Sequence, residues 1–441
     1  MKPNILYIMS DDHAANAVGC YGSRLAAVAP TPAIDRIAAE GMRLDNCFCT
    51  NSICTPSRAS ILTGQYSHVN GVYTLADDMD TRSTTVAHHL SRAGYQTAMI
   101  GKWHLHTEPQ GFDYYNVLPG QGLYNNPRLK EKGKEWQDHN KGGEVYEGYV
   151  TDVITDLSLE WLENRDPDRP FFLMCHHKAP HGLWEYAPRH AALFENTDIP
   201  EPPSLWEDRN RRPYTTRGYG SGMLHLATTR MVTDRYPNGK LDIRGRTEDE
   251  VKRDAYQKYL KDYLRCVRAI DENVGRILQY LYFFFNDTAT TEIYTSDQGM
   301  FLGEHDFYDK RWFYEESLRM PFVVRYPREI PAGSVNDDII LNHDFAPTFL
   351  AYAGENTPED MQGRSFRPNL AGRTPDDWRE AMYYRYWMHM AHHLNPAHYG
   401  IRTKRYKLIF FYGLGLDAAG AVKEKTPPGF ELYDLQRDPY E

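Results

Sequence analysis

The sequence NILYIM, residues 4–9, is apolar after its first residue and is followed at once by Ser10, Asp11 and Asp12. A short continuous apolar run that ends in polar residues is typical of a β-strand buried on both faces. Such a strand needs neighbouring strands on both edges and helices above and below it. The run therefore predicts a strand inside a parallel sheet, with Asp11 and Asp12 at its carboxyl end.

The same alternation of apolar strand and amphipathic helix continues along the chain. We predict further strands at residues 94–100, 171–176 and 321–326, and helices at residues 31–40, 84–92, 150–163 and 249–281. Strands that alternate with helices indicate an α/β fold, with a mainly parallel central sheet covered by helices on both faces. Residues 185–246 are rich in Pro, Gly, Arg and Tyr without periodicity, and we interpret them as a long surface insertion.

A second, smaller domain is predicted at the end of the chain. The composition shifts near Gly372, and residues 381–388 and 406–412 read as antiparallel strands. We therefore expect a large domain at residues 1–371 and an α+β domain with an antiparallel sheet at residues 372–441. The abrupt stop at Asp438-Pro439-Tyr440-Glu441 predicts that the smaller domain is truncated.

Composition restricts the class of protein. The chain has 441 residues, a net charge of −10, 41% hydrophobic residues and 25% charged residues, so we expect a globular protein rather than a nucleic-acid binder with a basic surface. No apolar run is long enough to cross a bilayer. No signal peptide follows Met1, so location stays open: cytoplasmic as the chain stands, periplasmic or secreted if a leader was removed.

One segment does not fit the pattern. Residues 282–295 read YFFFNDTATTEIYT, where a buried strand should lead into Ser296 and Asp297. Glu292 places a charge inside that strand, which is costly in a sheet covered on both faces. The string resembles a translated sequencing-adapter fragment, so we give its residues no functional weight and expect apolar residues in place of Thr291 and Glu292 in the source protein.

Oxygen-bearing side chains follow two of the predicted strands. Asp11 and Asp12 follow the first strand, and Asp297 and Gln298 follow the irregular one. Each pair alone would more often cap a turn. Because the carboxyl ends of parallel strands meet at one edge of a sheet, the two pairs together predict a site for a hard cation, Ca²⁺ or Mg²⁺.

Basic side chains follow the other strands. Lys102 and His104 lie in the segment GKWH, and His181 lies in KAPH. A lysine can neutralise an anionic group, and a histidine can transfer protons near neutral pH. Each of these residues alone would more often be structural or solvated. The evidence for a functional role is that all of them are predicted to lie at the same edge of the sheet.

The most specific signal is CTPSRASILTG, residues 54–64. Residues 57–62 read as the first turns of a helix that Gly64 closes, which places Cys54 at a helix N-terminus, where backbone N–H groups favour an anion. A free thiol before a helix is the alternative. It does not explain why Arg58 follows one turn later on the same side.

This string resembles the signature of the type I sulfatases, which are formylglycine-dependent members of the alkaline-phosphatase-like superfamily. The chain also resembles bacterial polysaccharide and glycosaminoglycan sulfatases. The resemblance covers nearly the whole chain and includes Asp11-Asp12, Gly101-Lys102-Trp103-His104, Ala179-Pro180-His181, Ser296-Asp297-Gln298-Gly299 and Lys310. It implies an alkaline-phosphatase-like fold for the large domain. It also implies that a maturation enzyme oxidises Cys54 to formylglycine, whose hydrated aldehyde attacks the sulfur of a sulfate ester.

The resemblance also implies roles for the other residues. Ca²⁺ is held by Asp11, Asp12, Asp297 and Gln298, and contacts the modified Cys54. Arg58 and Lys102 fix the nucleophile and the sulfate charge, Lys310 neutralises the leaving oxygen, His181 is the acid for the departing alcohol, and His104 is the base that restores the aldehyde. The family more often has Asn or His at the position of Gln298, whose carbonyl can still bind a metal.

We expect the substrate to be a sulfated carbohydrate, with a 6-sulfated N-acetylhexosamine or related glycosaminoglycan unit as the leading candidate. Residues 383–399 are rich in aromatic and basic groups, and we interpret the part around Asn395-Pro396 as a loop whose side chains bind the sugar, namely His392, His393, His398 and Arg402. Two alternatives stay open: a phosphate ester or phosphonate hydrolase of the same superfamily, and a non-catalytic protein that binds sulfated glycans.

Overall fold

The computed structural model describes residues 2–284 and 287–441. Its strands, in chain order, are β1 Asn4–Ser10, β2 Met42–Leu44, β3 Cys47–Phe48, β4 Gln96–Lys102, β5 Tyr114–Leu118, β6 Arg128–Glu131, β7 Glu144–Val145, β8 Phe171–His177, β9 Thr290–Ser296, β10 Phe301–Leu302, β11 Tyr308–Asp309, β12 Phe322–Arg325, β13 Ser334–Asn336, β14 Ile340–Leu341, β15 Ala381–Tyr386, β16 His398–Thr403, β17 Tyr406–Phe411 and β18 Gly429–Asp434.

The α-helices are α1 Pro32–Ala39, α2 Cys54–Thr63, α3 Ser67–Asn70, α4 Val86–Arg92, α5 Val150–Asn164, α6 Met223–Leu226, α7 Glu248–Phe284, α8 Glu315–Leu318, α9 Phe345–Tyr352, α10 Arg367–Leu370 and α11 Ala391–Leu394. A π-helical turn, Ala227–Met231, continues α6. Short 3₁₀ turns occur at Ala15–Ala17, Gly19–Tyr21, Pro188–His190, Pro203–Trp206, Arg209–Arg211, Asp287–Ala289, Glu304–Asp306 and Asn342–Asp344. Among the described residues, no helix is both long enough and apolar enough to cross a membrane.

A ten-stranded mixed sheet forms the centre of the large domain, in the order β13-β2-β12-β9-β1-β8-β4-β5-β6-β7. Its middle strands, from β9 to β5, pair in parallel, and antiparallel strands flank them on both sides. This arrangement confirms the predicted α/β class with a mainly parallel sheet.

The strand that opens the chain lies at the centre of the sheet, between β8 and β9. Its side chains alternate between two hydrophobic cores, as a strand covered on both faces requires. Tyr7 packs on the face that carries α2, α4 and α9, and Ile8 packs on the face that carries α1, α5 and α7. The unbroken apolar run at residues 4–9 is explained by this double burial.

The carboxyl ends of four adjacent strands meet at one edge of the sheet. The strands β9, β1, β8 and β4 end at Ser296, Ser10, His177 and Lys102, respectively. The residues that follow them are therefore neighbours in space, although nearly 300 positions separate the first from the last in sequence. This edge is where ligands bind in open α/β sheets.

The C-terminal region contains a four-stranded antiparallel sheet in the order β15-β16-β17-β18, which confirms the predicted small antiparallel domain. Its boundary at residue 372 stays a prediction. One expectation is corrected here: residues 398–402 do not form a loop, because His398–Thr403 is the strand β16, hydrogen-bonded to β15 and β17. Asn395-Pro396 ends the preceding turn rather than interrupting the strand.

The irregular segment forms the expected strand, β9, between β1 and β12. Glu292 is buried but lies opposite Arg325 of β12, with Arg325 Nη1 at 3.3 Å from Glu292 Oε1. A buried carboxylate that faces an arginine is compensated, which answers the physical objection to a charge at this position. Within residues 282–295, Phe285 and Asn286 lie outside the described residues.

Candidate active site

Cys54 is the first residue of helix α2 and lies at the sheet edge described above. Ile53 before it is extended, and Gly64 after Thr63 adopts φ 67°, which closes the helix in the left-handed conformation that glycine tolerates. Every residue of this helix is buried. The sequence prediction of a helix that begins near Cys54 and ends at Gly64 is confirmed.

Arg58 ties this helix to two strand ends. Its Nε donates to Asp297 Oδ2 at 3.0 Å, and its Nη1 donates to the carbonyl of Lys102 at 2.6 Å. Its Nη2 lies 3.6 Å from Asp11 Oδ1. The guanidinium is 2% exposed, so it acts as a fixed cation beneath Cys54, which explains its position one helical turn after that residue.

Three carboxylates converge beside the thiol. Ligand atoms of Asp11, Asp12 and Asp297 lie within 4.8 Å of one another, and so do those of Asp11, Cys54 and His181. The backbone N–H of Asp12 donates to Asp297 Oδ1 at 3.1 Å. The structure thus brings together the predicted metal ligands from the ends of β1 and β9.

These residues fit a hard divalent cation. Among the described residues, Asp11 Oδ1 and Gln298 Oε1 are buried oxygen atoms without a hydrogen-bond partner. Buried oxygens are rarely left without partners, and carboxylate and amide oxygens are the ligands that Ca²⁺ and Mg²⁺ take in proteins. The donor set contains no histidine apart from His181 and so resembles a calcium or magnesium site more than a zinc site.

Two lysines face the same carboxylates. Lys102 Nζ pairs with Asp11 and also donates to Gln121 Oε1 at 2.6 Å. Lys310 Nζ donates to Asp12 Oδ2 at 2.6 Å. Both side chains are buried, so the site holds cations and carboxylates at close range in a medium that screens them poorly.

Burial and mutual repulsion shift the pKa values of the carboxylates. Burial, followed by the charge of Asp11, raises the pKa of Asp297 to about 7. Burial acts most strongly and would raise the pKa of Asp11, but Lys102, His181, Arg58 and Lys310 together hold that pKa well below the usual range. Three carboxyls at this distance resist simultaneous ionisation unless a cation joins them.

The thiol of Cys54 is protonated in this environment. Burial raises its pKa to about 12, although Lys310 acts in the opposite direction. A thiol rather than a thiolate is a poor nucleophile. Unmodified Cys54 is therefore ill suited to attack an ester by itself.

The two predicted proton-transfer residues flank this cluster. His181 Nδ1 lies 2.7 Å from the carbonyl of Gly182, and its Nε2 lies 3.8 Å from Asp12 Oδ2. His104 is 8% exposed, and its Nδ1 has no hydrogen-bond partner among the described residues. Burial and then Lys102 hold the pKa of both imidazoles well below the usual range, so both rings are neutral.

A cavity of about 280 Å³ opens above Cys54. His181, Lys310 and Asp12 line its catalytic end. The rest of its wall is made of Leu75, Gln121, Gly182, Trp184, Arg230, Met300, Tyr308, Asp309, Arg311, His392 and His393. The wall mixes aromatic rings with polar groups, as expected for a site that takes a small polar ligand.

The structure divides the four predicted sugar-binding residues into two pairs. His392 and His393 line the cavity, and His393 Nε2 lies 3.4 Å from Asp309 Oδ1. His398 and Arg402 do not line it. His398 is fully buried, with its ring stacked 5.7 Å from that of Tyr384.

Arg402 has a structural role in the same sheet. Its Nε donates to Glu315 Oε1 at 2.8 Å, and its side chain is 6% exposed. The expectation that His398 and Arg402 contact the sugar is therefore corrected. The physical reason is the strand β16, which turns both side chains toward the large domain instead of presenting them on a loop.

Several cavity residues were missed in the sequence. Asp309 and Arg311 flank the predicted Lys310, and their side chains pair at 2.7 Å, so the segment YDKR offered a signal. Gln121, next to Lys102, and Arg230, in the aperiodic insertion, offered none. Their place in the cavity depends on long-range packing.

Comparison with known proteins agrees with this geometry. Residues 3–355 match the family model described as Sulfatase, and residues 303–441 match the model described as N-sulphoglucosamine sulphohydrolase, C-terminal. An N-acetylglucosamine-6-O-sulfatase of Bacteroides thetaiotaomicron is 43% identical, over all of this chain and 82% of its own length. An arylsulfatase of Clostridium perfringens is 26% identical, over all of this chain and 89% of its own length.

One solved structure is similar to this protein over the whole length of the chain. A protein in complex with its substrate, D-glucosamine-2-N,6-O-disulfate, superposes with a TM-score of 0.90 at 41% identity, over all of this chain and 92% of that chain. The match extends over both sheets described above.

Proposed function

The chain belongs to the sulfatase family, and we propose that it removes sulfate from a sulfated sugar through a formylglycine made from Cys54. It is a sulfuric ester hydrolase, as its relatives are. One observation carries the proposal: Cys54 begins a buried helix at the cavity wall, and its sulfur lies within 4.8 Å of ligand atoms of Asp11 and His181.

The choice of sulfate over phosphate rests on two features. The relative that is 43% identical over this whole chain bears the name of a sulfatase. In addition, the carboxylate and amide donors suit a calcium ion better than the zinc ions that phosphomonoesterases of the superfamily use. The first feature counts against both the phosphate and the phosphonate esters that the sequence left open, and the second counts against phosphate monoesters.

Conversion of Cys54 would resolve the problem that its thiol poses. With a pKa of about 12, the thiol is not ionised at neutral pH. A hydrated formylglycine supplies an oxygen nucleophile and a second hydroxyl group through which the sulfate can later be expelled. Arg58, fixed under the helix start by Asp297 and the Lys102 carbonyl, holds positive charge beneath this position.

Asp11, Asp12, Asp297 and Gln298 would hold the divalent cation, for which we propose Ca²⁺. Two buried oxygens, Asp11 Oδ1 and Gln298 Oε1, accept no hydrogen bond from the described residues, which supports this assignment. A bound cation supplies positive charge to a sulfate oxygen. Lys102 and Lys310, which pair with Asp11 and Asp12, add fixed charge on either side of the cluster.

Lys310 and His181 lie on the cavity wall, where the leaving alcohol would depart. Lys310 stabilises the negative charge that develops on the leaving oxygen. His181 Nδ1 is engaged by the Gly182 carbonyl, which leaves Nε2 to face the substrate. The negative charge of a sulfate beside this ring raises its pKa, so that Nε2 can carry the proton that the alcohol needs.

His104 is suited to the opposite task. Its neutral ring has a free Nδ1, and it is influenced by the charges of Lys102, Asp11 and Arg58 around Cys54. A neutral imidazole in this position accepts a proton from the hydroxyl group that expels sulfate. The two histidines thus have different protonation states as the reaction proceeds.

The proposed substrate is a 6-sulfated N-acetylglucosamine or a related glycosaminoglycan unit. The name of the 43% identical relative and the substrate bound in the similar structure both support this class. The cavity wall supports it as well: among the described residues, Arg311 Nη1, His393 Nδ1 and Tyr308 Oη are buried polar atoms without partners. Sugar hydroxyl groups satisfy such atoms, whereas a simple aromatic ring does not.

The proposal is tested on the purified protein. Peptide mass spectrometry of the segment with Cys54 reports the conversion, and sulfate release is measured with N-acetylglucosamine-6-sulfate and with a simple arylsulfate. We expect the aldehyde form and faster release from the sugar. Efficient hydrolysis of the sugar by protein that carries only unmodified Cys54 would contradict the mechanism.

A further inference from the structure

We propose that Arg230 binds a second anionic group on the substrate, so that the preferred substrate is a sugar unit with two negative charges. This inference rests on the proposed function, because it assumes that the ester cleaved at Cys54 lies in the same cavity. It begins from the charges on the cavity wall away from Cys54.

The first pair of charges on this wall is balanced. Asp309 Oδ2 accepts from Arg311 Nε at 2.7 Å. Arg311 holds the pKa of Asp309 below the usual range although burial acts against it, so both groups are ionised. Together they contribute polar atoms to the cavity without net charge.

The two histidines of this wall contribute no charge. Burial lowers the pKa of His393 to about 3 and also lowers that of His392. Neutral imidazoles can donate or accept hydrogen bonds to sugar hydroxyl groups. They do not attract a second sulfate electrostatically.

Within the part of the cavity wall that the structure describes, Arg230 is a cation without a counterion. Among residues 2–284 and 287–441 it forms no ion pair with a carboxylate, and its guanidinium lies 5.8 Å from the centre of the Tyr308 ring. The same guanidinium acts on the pKa of both His392 and His393. The guanidinium of Arg230 therefore faces the polar end of the cavity, where an anionic group of a ligand can contact it.

The backbone that carries Arg230 is also unusual. Arg230 lies in the π-helical turn Ala227–Met231, whose Ala227 and Met231 are buried against the large domain. Turns of this kind are rare and frequently lie at functional sites. Buried residues on both sides anchor the turn and keep the arginine at the wall, which reduces the entropy lost when it binds a ligand.

The size of the cavity limits where the second anion can be. A volume of about 280 Å³ is below the range usual for drug-sized ligands, so the anion lies on the sugar that is cleaved and not several units away. We expect a sulfate at position 2 or position 3 of the 6-sulfated ring. Carbons 2 and 3 lie on the far side of the ring from carbon 5, through which the cleaved ester is attached.

The test compares substrates that differ in one group. N-acetylglucosamine-6-sulfate, glucosamine-2-N,6-O-disulfate and N-acetylglucosamine-3-O,6-O-disulfate are offered to the wild type and to Arg230→Met and Arg230→Lys. A charged hydrogen bond contributes about 1.5–3 kcal/mol, so in Arg230→Met we expect KM to rise about tenfold to a hundredfold for one disulfated sugar. KM for the monosulfated sugar changes less than about twofold, kcat is unchanged, and Arg230→Lys recovers most of the loss.

The matched control is Arg211→Met, because Arg211 lies in the same insertion with its side chain 89% exposed. An equal loss on all three sugars, or no loss on any, would overturn the proposal. Binding of the same sugars to the Cys54→Ala variant, measured by calorimetry, separates this inference from the mechanism. If the wild type hydrolyses none of the sugars but Arg230→Met still loses affinity only for a disulfated one, the proposed mechanism fails while the role of Arg230 stands.

Discussion

Arg58 Nε donates to Asp297 Oδ2 at 3.0 Å and so joins the start of helix α2 to the end of strand β9. The two residues are 239 positions apart in sequence, yet their contact sets the position of Cys54 relative to the proposed metal ligands. The nucleophile and the cation site are thus parts of one rigid unit. Substitutions in either part should reduce the rate of sulfate release more than they reduce the stability of the fold.

We expect Cys54→Ala to abolish sulfate release while the protein stays folded. The substitution removes the side chain from which we propose the formylglycine is made and leaves a small side chain at a buried helix start. Sulfate release and the circular dichroism spectrum measure the two effects. The matched control is Cys175→Ala, a buried cysteine in β8 away from the cavity; near-native turnover by Cys54→Ala would exclude the covalent mechanism.

We expect Asp297→Ala to lose both bound calcium and activity. It removes one of three converging carboxylates and also removes the carboxylate that pairs with Arg58 at 2.9 Å. Elemental analysis measures calcium, and thermal unfolding with and without a chelator measures its effect on stability. A site saturated at 100 times its Kd stabilises the wild type by about 2.7 kcal/mol, and the variant should lose this difference.

Asp80→Ala provides the comparison for this measurement, since Asp80 is exposed and pairs with its neighbour Arg82. Its calcium content should equal that of the wild type. Unchanged calcium in Asp297→Ala would show that the ligands have been assigned incorrectly.

We expect His398→Ala and His393→Ala to differ in kind. His398 is fully buried, with the centre of its ring 5.0 Å from that of Phe411, so its removal should lower the free energy of unfolding by about 2–3 kcal/mol. The KM for a sulfated sugar should stay the same. His393 lines the cavity, so its removal should raise that KM. Urea unfolding and steady-state kinetics distinguish the two effects. If His398→Ala raises KM and His393→Ala does not, then His398 and not His393 contacts the sugar.

We expect Thr291→Val to stabilise the protein by about 1 kcal/mol. Thr291 is fully buried in β9, and its hydroxyl has no partner among the described residues; valine has the same shape without the polar atom. The control lies in the same strand: Thr295 Oγ1 donates to the carbonyl of Pro321 at 2.7 Å, so Thr295→Val should be destabilised. Equal changes in the two variants, measured by urea unfolding, would show that the orphan hydroxyl carries no cost.

The sequence predicted the fold well because the central strands are buried on both faces. Residues 4–9 have the pattern typical of an interior strand, and the positions of Asp11 and Lys102 at strand ends on either side of β8 followed from the parallel arrangement. The catalytic end of the site was predictable for the same reason. Most of its residues follow a strand or begin a helix, where local sequence determines position, whereas Lys310 was named only through the family resemblance.

The sugar end of the cavity could not be predicted in this way. His398 and Arg402 were expected on a loop because Asn395-Pro396 breaks the local pattern, but pairing with β15 and β17 outweighs that signal and buries both side chains. Arg230 could not be found because its turn has no sequence periodicity. Its position depends on how the long insertion packs against the large domain.

The burial of helix α2 also bears on whether Cys54 can be oxidised before or after the protein folds. All ten residues from Cys54 to Thr63 are buried once the protein is folded. Another enzyme therefore could not bind this segment in the folded protein. The proposed oxidation of Cys54 must then happen on the growing or newly released polypeptide. If Cys54 is oxidised as proposed, a molecule that folds first keeps its thiol, and the active fraction of a preparation depends on the relative rates of oxidation and folding.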